Sequence, residues 1–290
     1  MATDRSPARY DHYHHHYHFH FFLEYNSPTM KIEPYHCTFT LPQGDGDPPP
    51  ALLLRLLEEL LEAAGRHAGL LGVGVRDLHA QGLTWVLARL HVLALAPLPA
   101  GAEVRIATWP AGRHRLLALR EFQVRDARGA ETLRASSAWA LMNLETRRPA
   151  RLDPHLPVFA SHPGRMLEDD FPPLPPPSPR APTRLHRAEA EDIDLNDHVN
   201  TMVYIGWALA SAPDAVRSRP LQELEAAFLG EARLGDRIGC LTEIGHGAAP
   251  GAGPGSGTVL LQSLRDESSG KELTRLRSRW QGFGGLKHSL

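Results

Sequence analysis

The sequence predicts an α+β fold, built twice in one chain. Two observations carry this. One long amphipathic helical stretch precedes four strand-like runs joined by short turns, the pattern of a helix set against an antiparallel meander. The same order of elements then recurs, with matching residues at fixed offsets. Gly101-x-x-Val104-x-Ile106-x-Thr108 lines up with Gly235-x-x-Ile238-x-Cys240-x-Thr242 at an offset of 134. Gly129-x-Glu131-x-x-Arg134-x-x-Ser137-x-Trp139 lines up with Gly270-x-Glu272-x-x-Arg275-x-x-Ser278-x-Trp280 at an offset of 141. A longer loop such as 247–257 in the second copy absorbs the difference.

In the first copy, 31–41 reads as extended and ends in the turn-rich Pro42–Pro50. The helix follows over 51–70. Leu53, Leu56, Leu57, Leu60, Leu61 and Ala64 recur at spacings of three and four, with Arg55, Glu58, Glu59 and Arg66 between them. Prolines suit its start, where a missing N–H costs nothing, and Gly69 and Gly72 mark its end. Strands are expected at 83–95, 103–109, 114–126 and 131–144, with a tight turn at Arg125–Gly129. Periodicity is then lost. Phe171–Pro182 reads as a stiff polyproline spacer, rising about 3.1 Å per residue.

The second copy opens with a strand over 183–188. A polar segment at 191–200 leads into a helix at 199–211, stopped by Pro213. Strands follow at 221–231, 237–244, 258–265 and 272–281. The glycine-rich run Gly247–Gly257 lacks the Gly-Lys-Ser/Thr ending and following helix of a phosphate loop, and reads as a hairpin tip. The chain thus divides into a tail (1–29), a first domain (30–155), a proline-rich linker (156–182) and a second domain (183–290). Six of the 17 histidines crowd the tail between His12 and His20. That tract reads as a poorly ordered extension or as a metal-binding tract.

Composition excludes several classes. In 290 residues, 31 Lys+Arg face 33 Asp+Glu, a formal charge of −2, so there is no basic footprint for nucleic acid. At 42% hydrophobic residues the chain can bury a core, yet no run is long enough for a membrane-spanning helix. Two cysteines cannot make a disulfide framework, which fits a reducing, cytoplasmic setting.

The densest polar cluster is Asp194-x-Asn196-x-His198-Val199-Asn200, just before the second helix. On an extended segment alternate residues share one face, so Asp194, Asn196 and His198 are expected to project together. The free N–H groups of a helix start would lie beside them. A carboxylate, an amide and an imidazole there suit attack on a carbonyl. An ordinary N-cap would account for one of these residues.

This segment, extended through Tyr204 to Trp207, resembles the signature of acyl-acyl carrier protein thioesterases, the plant fatty-acyl chain-terminating enzymes and their bacterial relatives. The resemblance spans roughly 30–285. It includes Gly82-Leu-Thr-Trp85-Val-Leu-Ala-Arg89, Thr108-Trp109-Pro110 and Thr146-Arg-Arg-Pro149. It implies a tandem hot-dog, two copies of a long helix wrapped by an antiparallel sheet, and hydrolysis of fatty acyl-carrier protein to end fatty acid synthesis. It also implies a catalytic Glu on a strand after the helix, matched by Glu231 in Phe228-Leu-Gly-Glu231-Ala232. Where the family commonly has Cys next, this chain has Ala232, so no cysteine nucleophile stands there. Cys37 and Cys240 read as small core residues.

Under that resemblance the catalytic set is Asp194, Asn196, His198 and Glu231. Glu231 is the general base for water, Asn196 orients the water or the carbonyl, and His198 and Asp194 complete the hydrogen bonding; direct carboxylate attack through an acyl-anhydride is the open alternative. Backbone N–H groups near Val199 and Asn200 would receive the oxyanion. Leu57 and Trp85 could line an acyl pocket in the first domain, or be plain core. Neither a cofactor nor a metal is implied. The expected partner is an acidic acyl carrier protein docked on an arginine rim, with Arg147, Arg148, Arg151, Arg233 and Arg237 as candidates. An acyl-CoA thioesterase, a non-catalytic acyl sensor and a hot-dog dehydratase remain as alternatives, and the chain would be a monomer or homodimer.

Overall fold

Turn glycines and alternating apolar residues place the strands, and leucine spacing places the first helix. The computed structural model describes residues 30–43, 49–153, 155–157, 159–160, 164–194, 196–245 and 257–281. The histidine-rich tail, the Gly44–Asp47 turn and the 247–256 loop lie outside the described residues. The first half comprises β1 (Met30–Lys31), β2 (Tyr35–Thr40), α1 (Pro49–Leu70), α2 (Val75–His79), β3 (Leu83–Ala94), β4 (Glu103–His114), β5 (Leu117–Asp126) and β6 (Glu131–Asn143). After β7 (Phe159–Ala160), the second half comprises β8 (Thr183–Arg187), α3 (Thr201–Ala210), α4 (Asp214–Arg217), β9 (Leu221–Phe228), β10 (Arg237–Gly245), β11 (Thr258–Asp266) and β12 (Glu272–Trp280).

Ten strands form one sheet in the order β2-β4-β5-β6-β3-β9-β12-β11-β10-β8. Read from the middle outward, the two halves mirror each other. They join edge to edge through an antiparallel β3·β9 seam, with Arg89 opposite Ala227 and His91 opposite Glu225. The expected pair of sheets is therefore fused into one, which leaves only β2 and β8 as outer edges.

The repeated residues have repeated jobs. Gly101 and Gly235 sit at φ +72° and +86°, and Gly129 and Gly270 at +86° and +70°, backbone that only glycine adopts freely. Glu131 pairs with Arg134 as Glu272 pairs with Arg275. Trp139 and Trp280 each donate the indole N–H to the serine two residues earlier, at 2.8 and 2.9 Å.

Both main helices lie on one face of the sheet. Leu53, Leu56, Leu57, Leu60 and Ala64 of α1 share a core with Met202, Tyr204, Ile205, Ala208 and Leu209 of α3. Each buried leucine contributes roughly 1.5–3 kcal/mol. Among the described residues no helix is long and apolar enough to cross a membrane.

The proline-rich segment is more than a spacer. Its described part, 164–182, crosses the opposite face almost strand by strand. The Trp109 indole donates to the Gly164 carbonyl at 2.7 Å on β4. Arg165 reaches buried Glu121 of β5 at 2.7 Å, and Asp169 meets His91 of β3 at 2.7 Å. Beyond the seam, Arg275 of β12 donates to the Leu174 carbonyl at 2.8 Å, and the Thr242 amide of β10 to the Pro182 carbonyl at 3.0 Å. Sequence pattern shows the stiffness of such a run but not what it lies against.

Candidate active site

The polar segment before α3 is a tight turn, not an extended strand. Ile193 bridges Val199, and the Asp194 amide donates to the His198 carbonyl at 2.8 Å. Asp194 Oδ1 accepts the Asn196 amide at 2.8 Å, and Asp197 adopts φ +60°. Short polar side chains offer the backbone such local bonds in competition with a strand. The expected shared face is therefore broken. Asp194 shapes the turn, Asn196 is exposed at its tip, and His198 turns inward and is buried.

Asn200 is the N-cap of α3, its Oδ1 accepting the Met202 amide at 2.8 Å. The two amides expected to receive an oxyanion are already engaged. Val199 donates to the Ala232 carbonyl at 2.9 Å, and Asn200 to the Asp192 carbonyl at 2.8 Å. Their part is to fix the turn, which corrects the role read from the helix start.

Glu231 stands just past the end of β9 rather than on the strand. The ladder stops because the amides of Leu229 and Gly230 both turn to the Leu273 carbonyl, at 2.8 and 3.0 Å. The Ala232 amide then donates to the Tyr204 hydroxyl of α3 at 2.7 Å. With Val199 bonded to its carbonyl, buried Ala232 is clasped on both sides, and this delivers Glu231 to His198. Burial pushes the Tyr204 hydroxyl up, so it stays neutral as that acceptor.

The chemical centre is small. His198 Nε2 lies 3.2 Å from Glu231 Oε2. Arg147, from the first half, pairs with the same carboxylate oxygen and places its guanidinium 3.3 Å from His198 Nε2. Arg147 follows β6 in a turn braced by Asn143. Asn143 Oδ1 accepts the Glu145 and Thr146 amides at 3.1 and 2.7 Å, and its carbonyl accepts that of Arg147 at 2.9 Å. Arg147 itself sits at φ +54°, uncommon for a residue with a side chain. Its cross-half partner was hidden in the sequence, although Thr146-Arg-Arg-Pro149 carried part of the resemblance. Tyr204, four residues after Asn200, was likewise quoted without a role.

Leu57 and Trp85 do not come together. Leu57 is buried in the main core. Trp85 packs beside Leu78, Leu83 and Leu141 in a separate cluster, with its indole N–H on the Val73 carbonyl at 2.9 Å. Cys240 is buried under α3 and burial pushes its thiol up, as it does that of Cys37, so neither is a ready thiolate.

One further cluster has metal-ligand types. His91, Glu223 and Glu225 offer ligand atoms within 4.8 Å of one another at the seam. Arg279 and Arg277 already pair with the two glutamates. Burial pulls the His91 imidazole down, but hydrogen bonds to Asp169 and Glu223 and the charge of Glu225 outweigh it and hold it up at about 9. Three cations thus face three carboxylates, and the cluster is balanced as it stands.

The acyl-ACP thioesterase N-terminal domain profile matches residues 34–157, and the C-terminal domain profile matches 183–282. A chloroplastic palmitoyl-acyl carrier protein thioesterase of Arabidopsis thaliana is 29% identical over 249 residues, covering 78% of this chain and 58% of the relative. Oleoyl-acyl carrier protein thioesterase 1 of the same plant is 32% identical over 231 residues, covering 71% and 62%. The chain thus spans about three-fifths of these curated relatives. The crystal structure of an acyl-ACP thioesterase from Bacteroides thetaiotaomicron superposes with a TM-score of 0.64 at 25% identity, covering 85% of this chain and 97% of that one.

Proposed function

From the premise that this chain belongs to the acyl-ACP thioesterase family, with its tandem hot-dog fold, we propose that it hydrolyses fatty acyl-acyl carrier protein to the free fatty acid and the carrier thiol. The observation that carries this reading is the His198–Glu231 pair at 3.2 Å, held at the end of β9 by Tyr204 and Ala232.

A thioester asks little of its catalyst on the leaving side, because thiols have pKa values near ~8.5 and thiolate departs readily. A base for water and a site for the developing oxyanion remain to be supplied. Glu231 takes the proton of the attacking water. His198 Nε2 stands 3.2 Å from the same carboxylate and limits where it can swing. Asn196, exposed in the turn two residues before His198, is assigned to the substrate carbonyl or the water, and Asp194 holds that turn. With alanine at 232 the acyl group is not passed to a cysteine.

The partner is an acyl carrier protein, and the reaction ends fatty acid synthesis in the cytoplasm. Both halves of the site come from one chain, so a single chain is the working unit, alone or in a homodimer.

The test is hydrolysis of carrier-protein and CoA thioesters of several acyl lengths, side by side. Faster turnover of the carrier-linked series is expected. Glu231→Gln and His198→Ala should each lose about 10²-fold or more in kcat while melting like the wild type. Preference for CoA, or wild-type turnover in either variant, overturns the respective assignment.

A further inference from the structure

We propose that Arg147, supplied by the half that carries no base, is the cation that receives the thioester oxygen as it becomes an oxyanion. This rests on the hydrolytic reading above and adds a catalytic residue to it.

Placement is the first ground. The guanidinium touches the Glu231 carboxylate and lies 3.3 Å from His198 Nε2, so it borders the point where water must lose its proton. Donor supply is the second. The amides of Val199, Asn200 and Ala232 are committed to the framework, so those three are not available to an oxyanion. Backbone geometry is the third. Arg147 stands at φ +54° with its own amide on the Asn143 carbonyl, in a turn whose two preceding amides are held by Asn143 Oδ1, and an uncommon conformation kept by its surroundings points to use.

The charge moves in a way that suits one mobile cation. The Arg147 and Glu231 side chains are 55% and 42% exposed, so their ion pair contributes little and can rearrange cheaply. As water attacks, its oxygen bonds to the carbonyl carbon and its proton goes to Glu231. The carbonyl π pair moves onto oxygen. Negative charge therefore leaves Glu231 and appears on the substrate, and a guanidinium N–H follows it. The interaction is stronger in the transition state than before it, which is what accelerates a reaction. When the carbonyl reforms, the C–S bond breaks and its electron pair departs on sulfur. The thiolate takes the proton from Glu231, and Arg147 returns to the carboxylate. Acyl thioester and water become carboxylic acid and thiol.

The experiment uses the full chain and two substrates of one acyl length, a carrier-protein thioester and a pantetheine thioester lacking the protein. Arg147→Ala and Arg147→Asn, the latter tolerant of positive φ, are expected to lower kcat about 10²- to 10³-fold on both, with little change in KM. Arg147→Lys should keep part of the rate. Millimolar guanidinium should restore part of it to Arg147→Ala, which a merely structural defect would not permit. Wild-type kcat on the pantetheine thioester in both deletion variants overturns the proposal. So does a loss confined to KM for the carrier-linked substrate, which would make Arg147 a docking residue. A wild-type chain inert on both substrates instead overturns the hydrolytic reading itself.

Discussion

His91 Nδ1 and Asp169 Oδ2 lie 2.7 Å apart, which ties the proline-rich strap to the strand bordering the seam. His91 is held at about 9, above the ordinary 6.5. A histidine raised by folding stabilises fully below about 6.5, and that stabilisation is lost as pH climbs through about 9. At ~1.4 kcal/mol per unit the gap corresponds to about 3 kcal/mol. Urea melts of the wild type should therefore lose midpoint between pH 7 and pH 10 more steeply than those of His91→Gln. Parallel pH dependence in the two proteins would show that this latch contributes nothing.

Arg165 of the strap reaches Glu121, which is fully buried, at 2.7 Å. Removing one partner leaves an uncompensated charge inside, so Arg165→Met should cost about 3–5 kcal/mol. Turnover at a temperature where the variant is folded should not change, since neither residue borders the site. Adding Glu121→Gln should recover part of the loss, as read by urea denaturation. A double variant no more stable than the single one would contradict the pairing.

Asn200 is assigned to helix capping rather than to substrate. Asn200→Ala should cost about 1 kcal/mol of stability, with kcat within a few-fold of wild type. A hundredfold fall in kcat at unchanged melting temperature would return Asn200 to the chemistry.

Tyr204→Phe deprives the buried Ala232 amide of its acceptor, a loss of about 1–3 kcal/mol. Because that bond also sets the loop bearing Glu231, kcat should fall as well, by roughly tenfold. Calorimetry and steady-state kinetics on the same samples check both. A variant that melts early but turns over normally would separate Tyr204 from the placement of Glu231.

Much of the fold was readable because its signals are local. Leucine spacing in α1, the turn glycines at 101, 129, 235 and 270, and the paired Glu-x-x-Arg and Ser-x-Trp runs act within a few residues. The site was readable only in part. His198 came from the polar cluster before the second helix, and Glu231 from the resemblance. The alternation argument for Asp194, Asn196 and His198 failed because Asp194 caps its own turn, which a period-two reading ignores. Glu231 left its strand because two consecutive amides share the Leu273 carbonyl. Arg147 could be read only as one arginine among several near a rim. Its partner is far along the chain and meets it only after two half-sheets zip together. Leu57 and Trp85 show the converse, apolar residues whose chain positions say nothing about which cluster takes them.

The β3·β9 seam has a consequence for dilution. A site assembled from two separate copies would fall apart as concentration dropped, and its activity would fall faster than in proportion to the protein added. Here Arg147 and Glu231 belong to one polypeptide, and the segment joining their halves is itself fastened across the sheet. The encounter is intramolecular, with an effective concentration that the solution cannot change. Specific activity should therefore be flat from micromolar to picomolar protein. The partner half also arrives in fixed stoichiometry with each new chain.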